Sequence, residues 1–171
     1  MASLILTEAE LALETRRKNS IPNYMTRAAP LAGAYDEQKG REKQFPHAKR
    51  RNVGPCNTYN CHGLTFGSRR TEINAEIDKI LRDDDYREIR KEHVCPGDIV
   101  LYYSDPQVPG GVIGDIEHSG IVLEKGQFGL LRILSKWGLG DEWVHFLADC
   151  PYSVSNVKFF RINDCPKPQA A

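Results

Sequence analysis

Cys61 is the residue of this sequence best placed for chemistry. It follows Asn60, a good helix-capping residue, and precedes Gly63-Leu64-Thr65-Phe66, which can continue as a helix. The thiol therefore falls where an Asn-containing loop, residues 57–60, turns into a first helical turn. A cysteine becomes a good nucleophile when its thiolate is stabilised, and a helix amino terminus with a nearby imidazolium does that. The same placement aims the Cys61 backbone N–H toward an oxyanion. A buried cysteine acting as a small hydrophobe accounts for the stretch, taken alone, about equally well.

The candidate bases are the histidines. His62 neighbours Cys61, but adjacent helical residues point about 100° apart, so it is poorly placed to deprotonate the thiol. His47 and His93 stand among many charges and read as solvated. His118 differs: it opens a β-rich run, follows the Gly114-Asp115-Ile116-Glu117 loop, and is followed by small Ser119 and Gly120 that leave room for a substrate. If Glu124 pairs with about Leu130 across the turn that follows, His118 lies opposite Lys136, within one position either way. A residue that orients a histidine must accept its N–H, which charged Lys136 cannot do. Ser135 or its carbonyl is the better candidate, with His145 competing from farther along the chain. For Ser135 and His145 an ordinary place in a sheet, with no role, is the commoner expectation.

These residues need a helix and a sheet to hold them. Pro96-Gly97-Asp98 is a turn leading into a strand over residues 99–103; residues 118–124 and 130–137 read as a second and third strand, and the alternation of 157–162 as a last one. Upstream, Ile73, Ile77, Ile80 and Leu81 follow helical spacing and predict a helix over 72–82, a polar break at Asp83-Asp84-Asp85, and a helical turn through 86–91. Thr7-Glu8-Ala9-Glu10 has the form of a capping box, predicting a helix over 8–18 with Leu11, Ala12 and Thr15 inside. Residues 19–54, broken by prolines and glycines, read as an extended arm that wraps the domain. Helices first and antiparallel strands afterwards make an α+β domain.

Bulk properties exclude several functions. Lys and Arg total 23 and so do Asp and Glu, which leaves no net field for nucleic acid or an anionic membrane. Residues 1–54 carry ten basic and six acidic side chains, so the remainder is acidic and the two parts are expected to touch. The basic strip 41–51 is a binding arm or, the favoured reading, a solvated strip neutralised by that remainder. Five cysteines without a CxxC pair or zinc-type His spacing predict reduced thiols and neither a structural metal nor a cofactor. The amino terminus has no secretory pattern and no run reaches the 18 or so apolar residues of a membrane span, so the expected site of synthesis is the cytoplasm, with any export by a signal-independent route.

Asn60-Cys61-His62-Gly63-Leu64 resembles the Asp-Cys-Ser-Gly-Leu nucleophile motif of the NlpC/P60 branch of papain-like cysteine peptidases. Pro96-Gly97-Asp98-Ile99-Val100 resembles that family's Pro-Gly-Asp-Leu strand, and His118-Ser119-Gly120-Ile121-Val122-Leu123 its His-Val-Gly-Ile-Tyr strand, all in the family's order. The resemblance implies a papain-like fold over about residues 55–165, after an amino-terminal helix and arm (1–54) and before a short tail (166–171). A helix bearing Cys61 would pack on a small antiparallel sheet presenting His118. It further implies amide-bond cleavage through a thioester, most often in cell-wall peptides. The family's third polar position falls at Ser135 instead of the usual His, Asn or Gln. Asn60, where the family has Asp, and Tyr59, standing for its upstream tyrosine, fall on the oxyanion and substrate side. The expected partner is a peptide or protein substrate, with a delivery or immunity protein as a further one. Acyl transfer, proteolysis or deamidation on a protein stays open, as does a non-catalytic binding domain on the same scaffold.

Overall fold

A computed structural model of the chain describes residues 9–26, 29–30, 32–51, 54–105, 114–138 and 140–163. Thr7 and Glu8 of the expected capping box, the Gly110-Gly111 loop, Cys165 and the tail 166–171 lie outside them. Seven antiparallel strands form one sheet: β1 (Lys49–Arg50), β2 (Tyr86–Ile89), β3 (Ile99–Tyr103), β4 (Ile116–Lys125), β5 (Leu131–Lys136), β6 (Glu142–Phe146) and β7 (Val157–Ile162). Their spatial order is β1-β6-β5-β4-β3-β7-β2. Among the described residues three α-helices, α1 (Ala32–Gln44), α2 (Cys61–Phe66) and α3 (Ile77–Asp83), complete a mixed α+β architecture with few helices. Among the described residues no helix is long and apolar enough to cross a membrane.

The centre of the sheet is a meander in which β3, β4, β5 and β6 pair in turn, with short connections from β4 to β5 and from β5 to β6 that favour hairpins. The turn before β3 is pinned by Asp98, whose carboxylate accepts the Cys95 amide at 2.7 Å and grips Arg161 of β7. Gly97, at φ +94°, takes a conformation that a side chain would resist. In the β4–β5 hairpin Glu124 pairs with Arg132 rather than Leu130, and a bulge between Val122 and Glu124 resets the register to Gly120 opposite Ser135. Extending that register puts Trp137 level with His118, inside the expected window.

Each face of the sheet carries its own core. On one side Val100, Tyr102, Val122, Ile133, Trp143 and Phe159 pack together, with Trp137 stacked on Trp143 and Phe45 edge-on to Trp137. On the other, Ile99, Leu101 and Phe160 meet Ile73 and the α3 residues Ile77, Ile80 and Leu81, while Leu134 meets Tyr59 and Leu64 beside α2. Strand alternation turns successive residues of β4 to opposite faces, which matters for the site.

Four expectations fail locally. Residues 9–25 form no helix: they fold back as a bridged hairpin, Ala9 opposite Met25 and Glu14 opposite Ser20. Ala9, Leu11, Leu13 and Thr15 turn inward and the residues between them outward, a period of two. Distant side chains take the backbone donors that a helix would have used, Asn23 at Leu11 and Asp84 at Arg16. The arm contains the 13-residue α1, whose buried residues are Ala34 and Gln38. Gln38 accepts from the Trp143 indole and the Asp141 amide, so its inner face is polar and shows no apolar period. Residues 86–89 form strand β2 along β7 rather than a helical turn, and α3 starts only at Ile77. The basic strip is taken up by the rest of the chain as its charge predicts: β1 pairs with β6, Arg50 meets Glu42 and Asp141, and Arg51 meets Glu142.

Candidate active site

Asn60 caps α2 as its residue type predicts, its side-chain oxygen accepting the Gly63 amide at 2.8 Å. The same oxygen accepts from the Ile73 amide, and the side-chain NH₂ donates to the Ile73 carbonyl and to Asn74. Both polar atoms of the Asn60 side chain are thus committed to the cap and loop. Tyr59 is likewise spent: buried against Leu64 and Leu134, it donates its hydroxyl to Glu142 at 2.8 Å. Both side chains on which the resemblance places the oxyanion and substrate are therefore engaged within the fold.

Cys61 opens α2, and its sulfur lies against β4. Burial pushes its thiol up, an effect opposed by the backbone N–H groups of Ser119, His62 and Cys61 and by the Ser119 hydroxyl. The expected lowering of the thiol is therefore absent, because the cost of burying a thiolate exceeds what these donors return. The resting group is a protonated thiol in a ring of amides. Cys56, Cys95 and Cys150 are also free thiols.

The small residues after His118 serve packing rather than substrate. Ser119 is fully buried, with its hydroxyl 2.9 Å from His62 Nδ1 and 2.9 Å from Thr65 Oγ1, and it ties α2 to β4. Thr65 in turn donates to the Cys61 carbonyl at 3.0 Å. A Cβ on Gly120 would stand 2.6 Å from Ile133 Cγ2, so the strand crossing there requires glycine.

His118 projects to the face opposite Ser119. Its imidazole is fully buried, stacked on the Tyr152 ring at 3.7 Å and 8°, and tilted against Tyr102 at 5.3 Å. Neither ring nitrogen has a hydrogen-bond partner among the described residues, the Cys61 thiol included. Burial first, and then His145, His62 and Arg41, hold its pKa well below the ordinary histidine value. The Tyr152 phenol is pushed up by burial and next by the charge that Cys61 would carry as a thiolate.

Ser135 does not orient His118. Its hydroxyl lies 2.8 Å from His145 Nε2 and accepts the Trp137 indole N–H at 3.0 Å. His145 Nδ1 faces the Phe146 carbonyl at 2.8 Å, so Nδ1 carries the proton and Nε2 accepts from Ser135. That closed trio explains why the strand-based choice failed: residues 135 and 145 face the same core and satisfy each other.

The chain matches no protein-family model, no curated protein and no solved structure. What the site can do is therefore argued from its own atoms. A cavity of about 540 Å³ opens beside His62, walled among others by Asn74, Glu76, Asp78, Arg82 and Asp115; neither Cys61 nor His118 lines it. Among the described residues no three His, Cys, Asp or Glu side chains converge as a metal site requires. One residue that sequence reasoning missed and one that it set aside stand out. Tyr152 lies outside every periodic segment, its only local signal being the turn-like Cys150-Pro151 before it. Lys136 is fully buried, its ammonium donating to the Gly140 carbonyl at 2.5 Å above the Tyr59 ring.

The buried histidines make a prediction about acid. Burial lowers His62 and His145 to about 4, and the unfolded chain binds protons at about 6.5. Between these values the unfolded state holds more protons, so stability is full above pH 6.5 and is lost as pH falls toward 4, by about 3 kcal/mol for each of the two. Urea midpoints measured from pH 7.5 to 4.5 should start falling near 6.5, above the carboxylate range. A midpoint flat down to pH 5 would contradict the burial of these neutral rings.

Proposed function

We propose that the protein is a cysteine hydrolase of papain-like, NlpC/P60-type arrangement that cleaves an amide bond through Cys61 and His118. The observation that carries this reading is the buried imidazole of His118, stacked on Tyr152 with neither nitrogen hydrogen-bonded among the described residues, on the strand against which the Cys61 helix packs. A buried polar group without a partner costs about 1–3 kcal/mol, and a fold retains such a group where its chemistry is needed.

The chemistry follows from neutral partners. The low pKa of His118 leaves it a neutral imidazole, and Cys61 rests as a thiol. As sulfur attacks the substrate carbonyl, the S–H proton passes to His118, and the carbonyl oxygen gains the charge that free backbone N–H groups at the start of α2 stabilise. His118 then gives its proton to the leaving nitrogen as the C–N bond breaks, leaving a thioester on Cys61. Water, losing a proton to the same imidazole, releases the acid and restores the thiol. No ion pair forms before substrate arrives, so catalysis depends on general-base transfer at the moment of attack.

A cell-wall peptide is the favoured substrate on the strength of the three motifs; acyl transfer, proteolysis or deamidation on a protein is the second reading, favoured by no particular contact. Purified protein would be incubated with muropeptides and, separately, with protein amide substrates, and new amines or ammonia quantified against Cys61→Ala. Amine release from muropeptides that disappears in Cys61→Ala supports the first reading. Release only from proteins replaces it with the second, and turnover that survives Cys61→Ala ends both.

A further inference from the structure

We propose that Tyr152 is the positioning residue of His118, its ring holding and shielding the imidazole where a hydrogen-bonded acceptor would otherwise do so. This rests on the reading of Cys61 and His118 as an amide-cleaving pair.

An imidazole that accepts and returns a proton needs a fixed ring plane. Hydrogen bonds usually fix it, and Ser135, the residue placed for that task, is consumed by His145 and Trp137. Tyr152 takes over by area: its ring lies 3.7 Å from the imidazole and within 8° of parallel, while Tyr102 lies toward the imidazole edge at 5.3 Å and 55°, its centroid 6.2 Å from that of Tyr152. Stacking restrains the imidazole to its plane but leaves both nitrogens free, which a hydrogen-bonded orienter would not. The electron-rich face of a phenol also attracts an imidazolium, so the contact strengthens when His118 takes the proton.

Other groups around the imidazole cannot substitute. Arg41 from α1, His62 from α2 and His145 from β6 all disfavour its protonated form, and Tyr102 from β3 is a neutral phenol raised further by burial. Tyr152 comes from the stretch between β6 and β7, which is anchored by Cys150, whose thiol donates to the Leu147 and Tyr152 carbonyls. The ring is thus presented by a segment distinct from both catalytic elements.

The test uses p-nitrophenyl acetate as an acyl donor, following nitrophenol release and the mass of acylated Cys61 across pH 4–9. Wild type should show an acid limb below the ordinary histidine value, and Tyr152→Phe should keep both limb and plateau. Tyr152→Leu should lower the plateau tenfold or more and move the limb up toward 6.5, because water reaches the imidazole. A Tyr152→Leu profile matching wild type overturns the positioning role. His118→Leu run in parallel separates the two readings: if it acylates like wild type, the pair itself fails and this inference with it, whereas slow His118→Leu with unchanged Tyr152→Leu sinks only the role of Tyr152. Wild-type proton NMR needs no variant at all, since stacked His118 ring protons should be shifted upfield by the Tyr152 ring current, and ordinary shifts would refute the stack.

Discussion

Replacing His118 with leucine should lower the rate of amide cleavage by about 10²–10⁴-fold, the usual contribution of a positioned general base, while making the protein more stable in mild acid. The two effects have one cause. The imidazole occupies an apolar, aromatic site with no hydrogen-bond partner among the described residues, so folding must strip it of water with no return. Leucine is close in size, suits the aromatic surroundings of Tyr102 and Tyr152, and carries nothing that needs solvation. It also removes a group whose depressed pKa penalises the folded state once pH falls below about 6.5. A histidine retained for structure would behave in the opposite way, its loss destabilising the fold and sparing turnover. Rates on the substrate identified for wild type, set beside urea midpoints at pH 5 and 7.5, decide the matter. Full activity in His118→Leu would remove the base from the mechanism.

Gly63→Ala should destabilise the fold by at least about 3 kcal/mol and cost about 10²-fold in activity even in molecules that fold. The added Cβ would overlap the Thr71 carbonyl oxygen and come within 3.0 Å of Tyr59 Cβ. Neither side can yield easily. Thr71 is fully buried with its hydroxyl on Asn23, and the Gly63 carbonyl already accepts the amides of Gly67 and Arg69. The helix must therefore lift from the 67–73 loop, carrying Cys61 with it. Gly40→Ala on the exposed side of α1 is the matched control: a Cβ there meets nothing within 4 Å, and the helix should gain about 0.5–1 kcal/mol. Thermal melts of the two variants should move in opposite directions, and a Gly63→Ala protein as stable as wild type would show that α2 is not seated against that loop.

The candidate site shows where sequence reasoning reaches and where it stops. Asn60 and Cys61 are legible because a cap and the residue after it are separated by one position and act through local backbone geometry. Setting aside His62 as a direct base also survives, since its ring turns to Ser119. The third residue was open to a register argument only, and register says which residues are level, not which partner each prefers. Ser135 had two partners on its own face, the indole of Trp137 and the imidazole of His145, and both outcompete His118 for its hydroxyl. Tyr152 had only the turn-like Cys150-Pro151 before it as a signal, because a residue in an aperiodic turn is placed by the ends of the strands around it.

By itself the sequence determined the meander of β3, β4 and β5, the last strand β7, the seat of Cys61 at a helix start, and the meeting of a basic amino-terminal part with an acidic remainder. Each rests on short-range patterns: β-branched runs between turn residues, one capping side chain, a charge difference. Only the tertiary structure decided the rest. The segment 9–25 alternates as strands do, yet a capping pattern that suggests helix precedes it, and the choice falls to Asn23 and Asp84, 12 and 68 residues away from the amides they bind. Helix α1 forms on a polar inner face because Gln38 finds Trp143 across more than 100 residues. And which face of β4 meets α2, Ser119 rather than His118, depends on the phase at which the strand is laid against the helix, a choice that one sequence period of two leaves equally open in both directions.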